Sequence, residues 1–546
     1  MSWTYRPFIL ASLVLQIFSH PYDSKLANYN ININQAGGNK ILSYSSDWPE
    51  KSTRGGYTPS PTNWRALPTY TVLLDKFVDG DPTNNDYFNT QWEWDSKANQ
   101  LRHGGDISGF AQDRVLDYIY GMGYRCIFFA GTPWINMPWQ ADGYSALDFT
   151  LLDPHYGTLA EWRAAIDKIH ARGMYVMLDM TTTTMGDLIG NSKSLNASTP
   201  FSLQGYEVEW KYPPHTPWDL QRYADFNFTN TRSTCQLPNF YDNDGSQITS
   251  VPRKLDGCYA GDFDQFGDIE AFGVHPDWQR QLSKFASVQD RLREWDDGVA
   301  AKLEHLACMT LKALDPDSIR IDKATQQTVD FVGKWGGAVK TCAASIGKNN
   351  FFIPGEMLVM PDNLAARMQI KINQSLLACL ISTGGNTFGS LYIGRGRQPK
   401  NYANIGVQEA SLIQANQSQH FMRPVGQNGL DSAAFHYSVY RSLTRFLSMD
   451  GNLDVAYDVE VNWASAWNQI FVSNDFLNHH TGQIDPRHLY GTSNQDVFRW
   501  PSLKNGTAKL LLGQLITNLV MPGIPLAYYG EEQDMYLYDS QGKSEL

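Results

Sequence analysis

The sequence predicts an α/β protein in which eight parallel strands close into a barrel ringed by helices, interrupted by a large excursion after the third strand. Three observations lead there. Apolar runs alternate with stretches of helical spacing, the pattern of strand–helix–strand crossovers in a parallel sheet. The runs are almost continuously apolar, as strands buried on both faces are. Three of them, Ser318-Ile-Arg-Ile-Asp322, Phe352-Ile-Pro-Gly-Glu356 and Phe471-Val-Ser-Asn-Asp475, end in a carboxylate, and Gly523 to Gly530 completes the series. Barrel enzymes set their working side chains at such C-terminal strand ends.

The elements follow in order. Arg6 precedes a short apolar run, Phe8 to Phe18, with small or polar residues after it. This reads as a secretory signal peptide over residues 1–20, too short to span a bilayer. Residues 21–67 are rich in turn formers and are expected to wrap the main domain. Tyr70 to Phe77 reads as a strand, Ala111 to Met122 as a helix, and Tyr124 to Ala130 as a strand. Leu159 to Arg172 reads as an amphipathic helix and Met174 to Met180 as the third strand. Residues 182–275 then lose periodicity, and so long a structureless loop is uncommon in a compact domain. An inserted subdomain is therefore expected there, leaving residues 68–181 and 276–546 as one discontinuous barrel.

Helical spacing returns with Leu303, Leu306, Ala307, Thr310, Leu311 and Leu314 on one face. A strand around Leu376 to Ser382 would bring the total to eight. The chain stops 16 residues beyond Gly530, so no C-terminal β domain is expected within it, and the sequence reads as truncated or as one piece of a larger protein. Cys235 and Cys258, in one polar excursion, are the expected disulfide pair. Cys126, Cys308 and Cys379 lie in apolar runs and read as buried thiols.

Composition narrows the function. A chain of 546 residues with 42% hydrophobic content supports a large core, and a formal net charge of −12 argues against nucleic acid and anionic membranes as partners. Sequons at Asn196, Asn227, Asn373, Asn416 and Asn505 fit a secreted glycoprotein. Three carboxylates delivered by strand ends suit chemistry on a sugar, where two carboxyl groups flank the glycosidic bond and the transition state is cationic.

Asp142-Gly-Tyr-Ser-Ala-Leu-Asp-Phe149, Tyr156-Gly-Thr-Leu159 and His170-Ala-Arg-Gly-Met-Tyr-Val-Met-Leu-Asp179, followed by the segments around Asp322, Glu356, Asp475 and Gly530, resemble the α-amylase family, glycoside hydrolase family 13. The resemblance covers roughly residues 68–531 and implies a TIM barrel. It also implies Asp322 as nucleophile, Glu356 as general acid/base and Asp475 as the carboxylate on the distorted sugar ring. Arg320 would hold Asp322 ionised, Tyr144 would form the platform under the sugar, and Asp179 would be the carboxylate ending the third strand. The Asn-His expected after Asp179 is replaced by Thr183 and Thr184. His-Asp is replaced by Asn474-Asp475, against which Asn478-His-His-Thr481 offers a rival alignment, and the His before Gly-Tyr is Asp142.

Within the family, Asp75-Lys-Phe-Val-Asp-Gly-Asp-Pro, Thr181 to Thr184 and Val472-Ser-Asn-Asp-Phe476 look most like the amylase-like part of fungal cell-wall α-1,3-glucan synthases. That implies an α-glucan or maltooligosaccharide substrate, a place in the secretory pathway or cell wall, and membrane association only through regions this chain lacks. Transglycosylation or hydrolysis is the leading expectation; a carbohydrate-binding module with little turnover is the rival.

Asp79, Asp81, Asn84, Asn85, Gly104 and Asp106 supply hard oxygens at close spacing, as calcium requires, and resemble the calcium loop of the family's cyclodextrin-forming members. The same residues also suit a turn capped by its own side chains. Trp134 and Trp139 are candidates either for a sugar subsite or for packing.

Overall fold

The computed structural model describes residues 29–32, 50–51, 56–85, 102–136, 143–186, 208–211, 228–240, 247, 249, 254–264, 289–356, 430–434, 489–491, 493–496, 499–502, 508–520 and 524–535. Eight parallel strands close into a barrel. They are β1 (Thr69–Leu73), β2 (Cys126–Ala130), β3 (Tyr175–Met180), β4 (Ser318–Ile321), β5 (Pro354–Glu356), β6 (Ser432–Ala434), β7 (Leu489–Gly491) and β8 (Ile524–Tyr528). Each pairs with the next in sequence, and β8 pairs with β1. This is the TIM barrel predicted from the sequence.

Helices α1 (Asp113–Gly121), α2 (Leu159–Ala171) and α3 (Asp297–Leu314) sit where helical spacing puts them, and α4 (Val329–Ser345) and α5 (Ala508–Val520) are helices that the sequence reading does not single out. Helix α2 begins where it does because Thr158 and Glu161 form a reciprocal capping box, the Thr158 hydroxyl accepting from the Glu161 N–H. On α3 the face from Leu303 to Leu314 is buried against the barrel. Cys308 on α3 and Cys342 on α4 form a disulfide with Cα atoms 5.7 Å apart, which corrects the expectation of a free thiol at Cys308. Packed neighbouring helices bring together two residues that the sequence separates by 34 positions. Cys126 is free and buried, as expected.

The later strands correct the sequence reading. Segments 376–382 and 471–475, both expected as strands, lie outside the described residues. The barrel positions between β5 and β8 are filled instead by Ser432–Ala434 and Leu489–Gly491. Strands of three residues carry no periodicity to read; only the register, with Ala434 opposite Leu489 and Leu489 opposite Ile524, identifies them.

Between β3 and α3 the described residues contribute to three pieces of sheet, one of them Val208–Lys211 paired parallel with Tyr29–Asn32. Phe228–Gln236 and Lys254–Gly261 pair antiparallel. The strand Gln289–Leu292 runs between Thr184–Gly186 and Phe263–Asp264. Cys235 and Cys258 lie on the antiparallel pair Phe228–Gln236 and Lys254–Gly261, with their side chains outside the described residues. Among the described residues, no helix is long and apolar enough to cross a membrane.

Candidate active site

Register assembles the site before any side chain is considered. Arg320 on β4 lies opposite Asp179 on β3, and Ile321 lies opposite Gly355 on β5. Asp322 and Glu356 therefore end adjacent strands on the same rung, about 4.8 Å apart in the sheet. Arg320 and Asp322, two residues apart, point to the same side of the strand.

The Arg320 guanidinium joins all three carboxyls. Its Nη1 donates to both oxygens of Asp179 at 2.9 and 2.8 Å and to Asp322 Oδ1 at 2.8 Å, while Nη2 lies 2.9 Å from Glu356 Oε2. All four residues are buried. An arginine in such company is held protonated: burial opposes its charge, but Asp179, Glu356 and Asp322 outweigh it.

The two carboxyls at the centre are driven apart in acidity. Burial pushes Glu356 up, the negative charges of Asp322 and Asp496 add to this against Arg320, and its pKa rises to about 7. Burial would also raise Asp322, but Lys323, Arg320 and a hydrogen bond from Glu356 overcome it and hold this carboxyl below its usual range. Near neutral pH one group thus keeps a proton and the other is an anion. They touch directly, Glu356 donating and Asp322 accepting.

Tyr144 completes one wall. Its hydroxyl donates to Asp179 Oδ2 at 2.7 Å and accepts from Gln495 Nε2 at 2.9 Å. Burial and the Asp179 charge keep the phenol protonated far above its ordinary range. Asp179 itself is raised, by burial against Arg320 and by repulsion from Asp322. Gly131 N and Met180 N also donate to it, at 3.2 and 3.1 Å.

The structure brings Arg320, Asp322, Glu356, Asp179 and Tyr144 together. Asp475 and Trp139 lie outside the described residues. Trp134 is fully buried with its ring 4.6 Å from Phe149, so of its two alternatives it packs rather than offering a face to a sugar. Thr183 and Thr184 are buried beside the strand Gln289–Leu292, with Leu292 N donating to the Thr183 carbonyl at 2.7 Å.

Four residues near the centre escaped the sequence reading: Gln289, Lys323, Gln495 and Asp496. Asp496 follows β7, is exposed, and acts electrostatically on Glu356. A sequence signal for it existed in Asn494-Gln-Asp496, but glutamine stands where a histidine is expected, and the longer apolar run ending at Asp475 is the stronger pattern.

The loop Asp79–Asn85 folds onto the short helix Ile107–Phe110. Gly105 and Gly109 allow this: a Cβ at either would fall 2.0 or 2.1 Å from the carbonyl oxygens of Leu74 or Val78. Asp106 Oδ2 accepts from Gly80 N, Asp81 N and Asn84 Nδ2 at 3.2, 2.8 and 3.2 Å, and its Oδ1 caps Gly109 N at 2.6 Å. Asn85 Nδ2 donates to Asp79 Oδ2 at 2.8 Å, and Asp81 Oδ1 accepts from Thr83. The side-chain Oδ1 atoms of Asn84 and Asn85 are buried and find no hydrogen-bond partner among the described residues. Both side chains donate and leave their acceptors idle, and such a donor set fits a hard cation.

Comparison with known proteins agrees with this geometry. The family described as alpha amylase, catalytic domain, matches residues 71–242. An Anoxybacillus alpha-amylase superposes with a TM-score of 0.50 at 17% identity, covering 88% of this chain and 75% of that one. A gamma-cyclodextrin glucanotransferase (CGTase) from alkalophilic Bacillus clarkii reaches 0.52 at 15% identity, over 88% and 53%. The chain carries an α-amylase-family catalytic domain, matched over residues 71–242.

More particularly, it is similar to cell wall alpha-1,3-glucan synthases of Schizosaccharomyces pombe. It is 46% identical over 527 residues to mok11, covering 96% of this chain and 20% of that protein. It is 44% identical over 546 residues to ags1, covering 99% and 21%. The chain thus spans about a fifth of the length of these relatives.

Proposed function

We propose that this domain is a retaining α-glucan transglycosylase or hydrolase that acts outside the cell, as the amylase-like part of a cell-wall α-1,3-glucan synthase. The observation that carries the chemistry is the split acidity of two touching carboxyls, Asp322 lowered and Glu356 raised to about 7. Glu356 protonates the leaving oxygen while Asp322 attacks the anomeric carbon, giving a covalent glycosyl ester. Glu356, now a carboxylate, takes the proton of the incoming hydroxyl as the ester is released. A retaining pair stands about 5 Å apart, so the sugar enters by parting the Glu356–Asp322 hydrogen bond. Asp496, exposed at the same rim, is the third carboxylate, reaching the ring hydroxyls in the role first expected of Asp475.

The α-1,3-glucan setting rests on the relatives' identity. A cell-wall location, the signal peptide over 1–20, the sequons and a subdomain over 182–275 belong to this proposal. Calcium belongs to it as well: Asp79, Asp81, Asn84, Asn85, the Gly104 carbonyl and Asp106 would hold it, and it would fix the first strand-to-helix loop against the barrel.

The test is to incubate the domain with maltooligosaccharides and compare wild type with Asp322→Asn. Products of altered chain length that vanish in the variant are expected. Binding without turnover in both proteins would return the domain to the carbohydrate-binding reading.

A further inference from the structure

Lys323 touches both reacting carboxyls. It follows Asp322 directly, and its backbone is left-handed, with φ at +48°, one of three non-glycine residues so placed among the described residues. For a residue with a Cβ this conformation is strained, and such strain gathers at functional sites. Here it turns the N–H and the side chain of one residue toward the same place. The N–H donates to Glu356 Oε2 at 3.0 Å, and the ammonium lies 3.2 Å from Asp322 Oδ2. The ammonium also donates to Gln289 Oε1, whose own Nε2 donates to the Tyr144 carbonyl at 2.6 Å. Lys323 is 5% exposed.

We propose that Lys323 is a positioning residue that fixes the two reacting carboxyls relative to each other and, through Gln289, to Tyr144. The inference rests on the function proposed above. Arg320 occupies Asp322 Oδ1, so Oδ2 is the oxygen that meets the anomeric carbon, and in the ligand-free protein the ammonium holds it. When the sugar takes Oδ2, Gln289 keeps the ammonium within reach. The same ammonium then stabilises the carboxylate as the glycosyl ester breaks.

The charged and titratable groups facing Asp322 are Arg320 on its own strand, Asp179 on β3, Glu356 on β5, Tyr144 and Lys323 itself. Asp496 beyond β7 reaches Glu356. Removing one of the two cations lets the Asp322 carboxyl rise.

The experiment measures release of fluoride from an α-glucosyl fluoride across the pH range, in wild type, Lys323→Met, Lys323→Gly and Lys323→Arg. The Met and Gly variants should lose about tenfold or more in kcat with KM nearly unchanged. Their acidic limb of kcat/KM should move up by about one pH unit, and Arg should recover most of that limb. Glycine accepts the left-handed backbone, so its agreement with Met separates the charge from the strain. An active wild type whose acidic limb is unmoved in Met and Gly overturns this inference alone. A wild type that releases no fluoride overturns the proposed function and this inference with it.

Discussion

Replacing Glu356 by glutamine should make the protein more stable at pH 8 and leave it nearly unchanged at pH 5. In the folded protein burial and the charges of Asp322 and Asp496 raise this carboxyl from 4.5 to about 7. Its folded pKa exceeds its unfolded value, so any stability linked to its proton is fully present below pH 4.5. That stability is lost as pH rises to about 7. Each pKa step is worth about 1.4 kcal/mol, so the loss across this window is about 3 kcal/mol. Asp322, whose folded value is lowered, is ionised in both states throughout the window and contributes no slope there.

Glutamine is the neutral isostere of the protonated acid and carries no such loss. Urea unfolding of both proteins at pH 5 and pH 8 reads the effect. The difference between them should grow by about 3 kcal/mol in favour of Glu356→Gln at the higher pH. A difference that stays constant would mean that Glu356 is not raised, and the argument for it as the proton donor would fail.

Two further outcomes follow from the geometry. Arg320→Leu leaves Asp179, Asp322 and Glu356 converging without the guanidinium that joins them; breaking such a buried network should cost about 3–5 kcal/mol at neutral pH, and the deficit should shrink in acid, as chemical denaturation against pH would show. If calcium occupies the Asp79–Asp106 site, a chelator should lower the melting temperature of wild type but not of Asp81→Ala, as calorimetry of the purified domain would show.

The legible part of this protein is the part that obeys a period or ends in a charge. Helix α2 could be bounded from the sequence because Leu159 to Arg172 keeps one amphipathic face, and the structure adds only the capping box of Thr158 and Glu161. Asp322 and Glu356 could be chosen because each ends an apolar run, and strand register then places them side by side. Strands β6 and β7 were illegible because three residues hold no pattern. Asp496 was hidden with β7, since it sits in the turn after so short a strand.

Lys323 was invisible for another reason. In sequence it is one more lysine after an aspartate, and only the sign of its φ turns its N–H to Glu356 and its ammonium to Asp322. The disulfide between Cys308 and Cys342 likewise depends on which helices become neighbours, a matter of tertiary packing that apolar spacing along one helix does not express.

The most direct measurement is mass spectrometry of the domain after reaction with a slowly turned-over fluorinated α-glucosyl fluoride, followed by peptide mapping. The account predicts one sugar added per chain, carried as an ester on Asp322 and absent from Asp322→Asn. A label on another residue, or an unlabelled protein that nonetheless consumes the reagent, would contradict it.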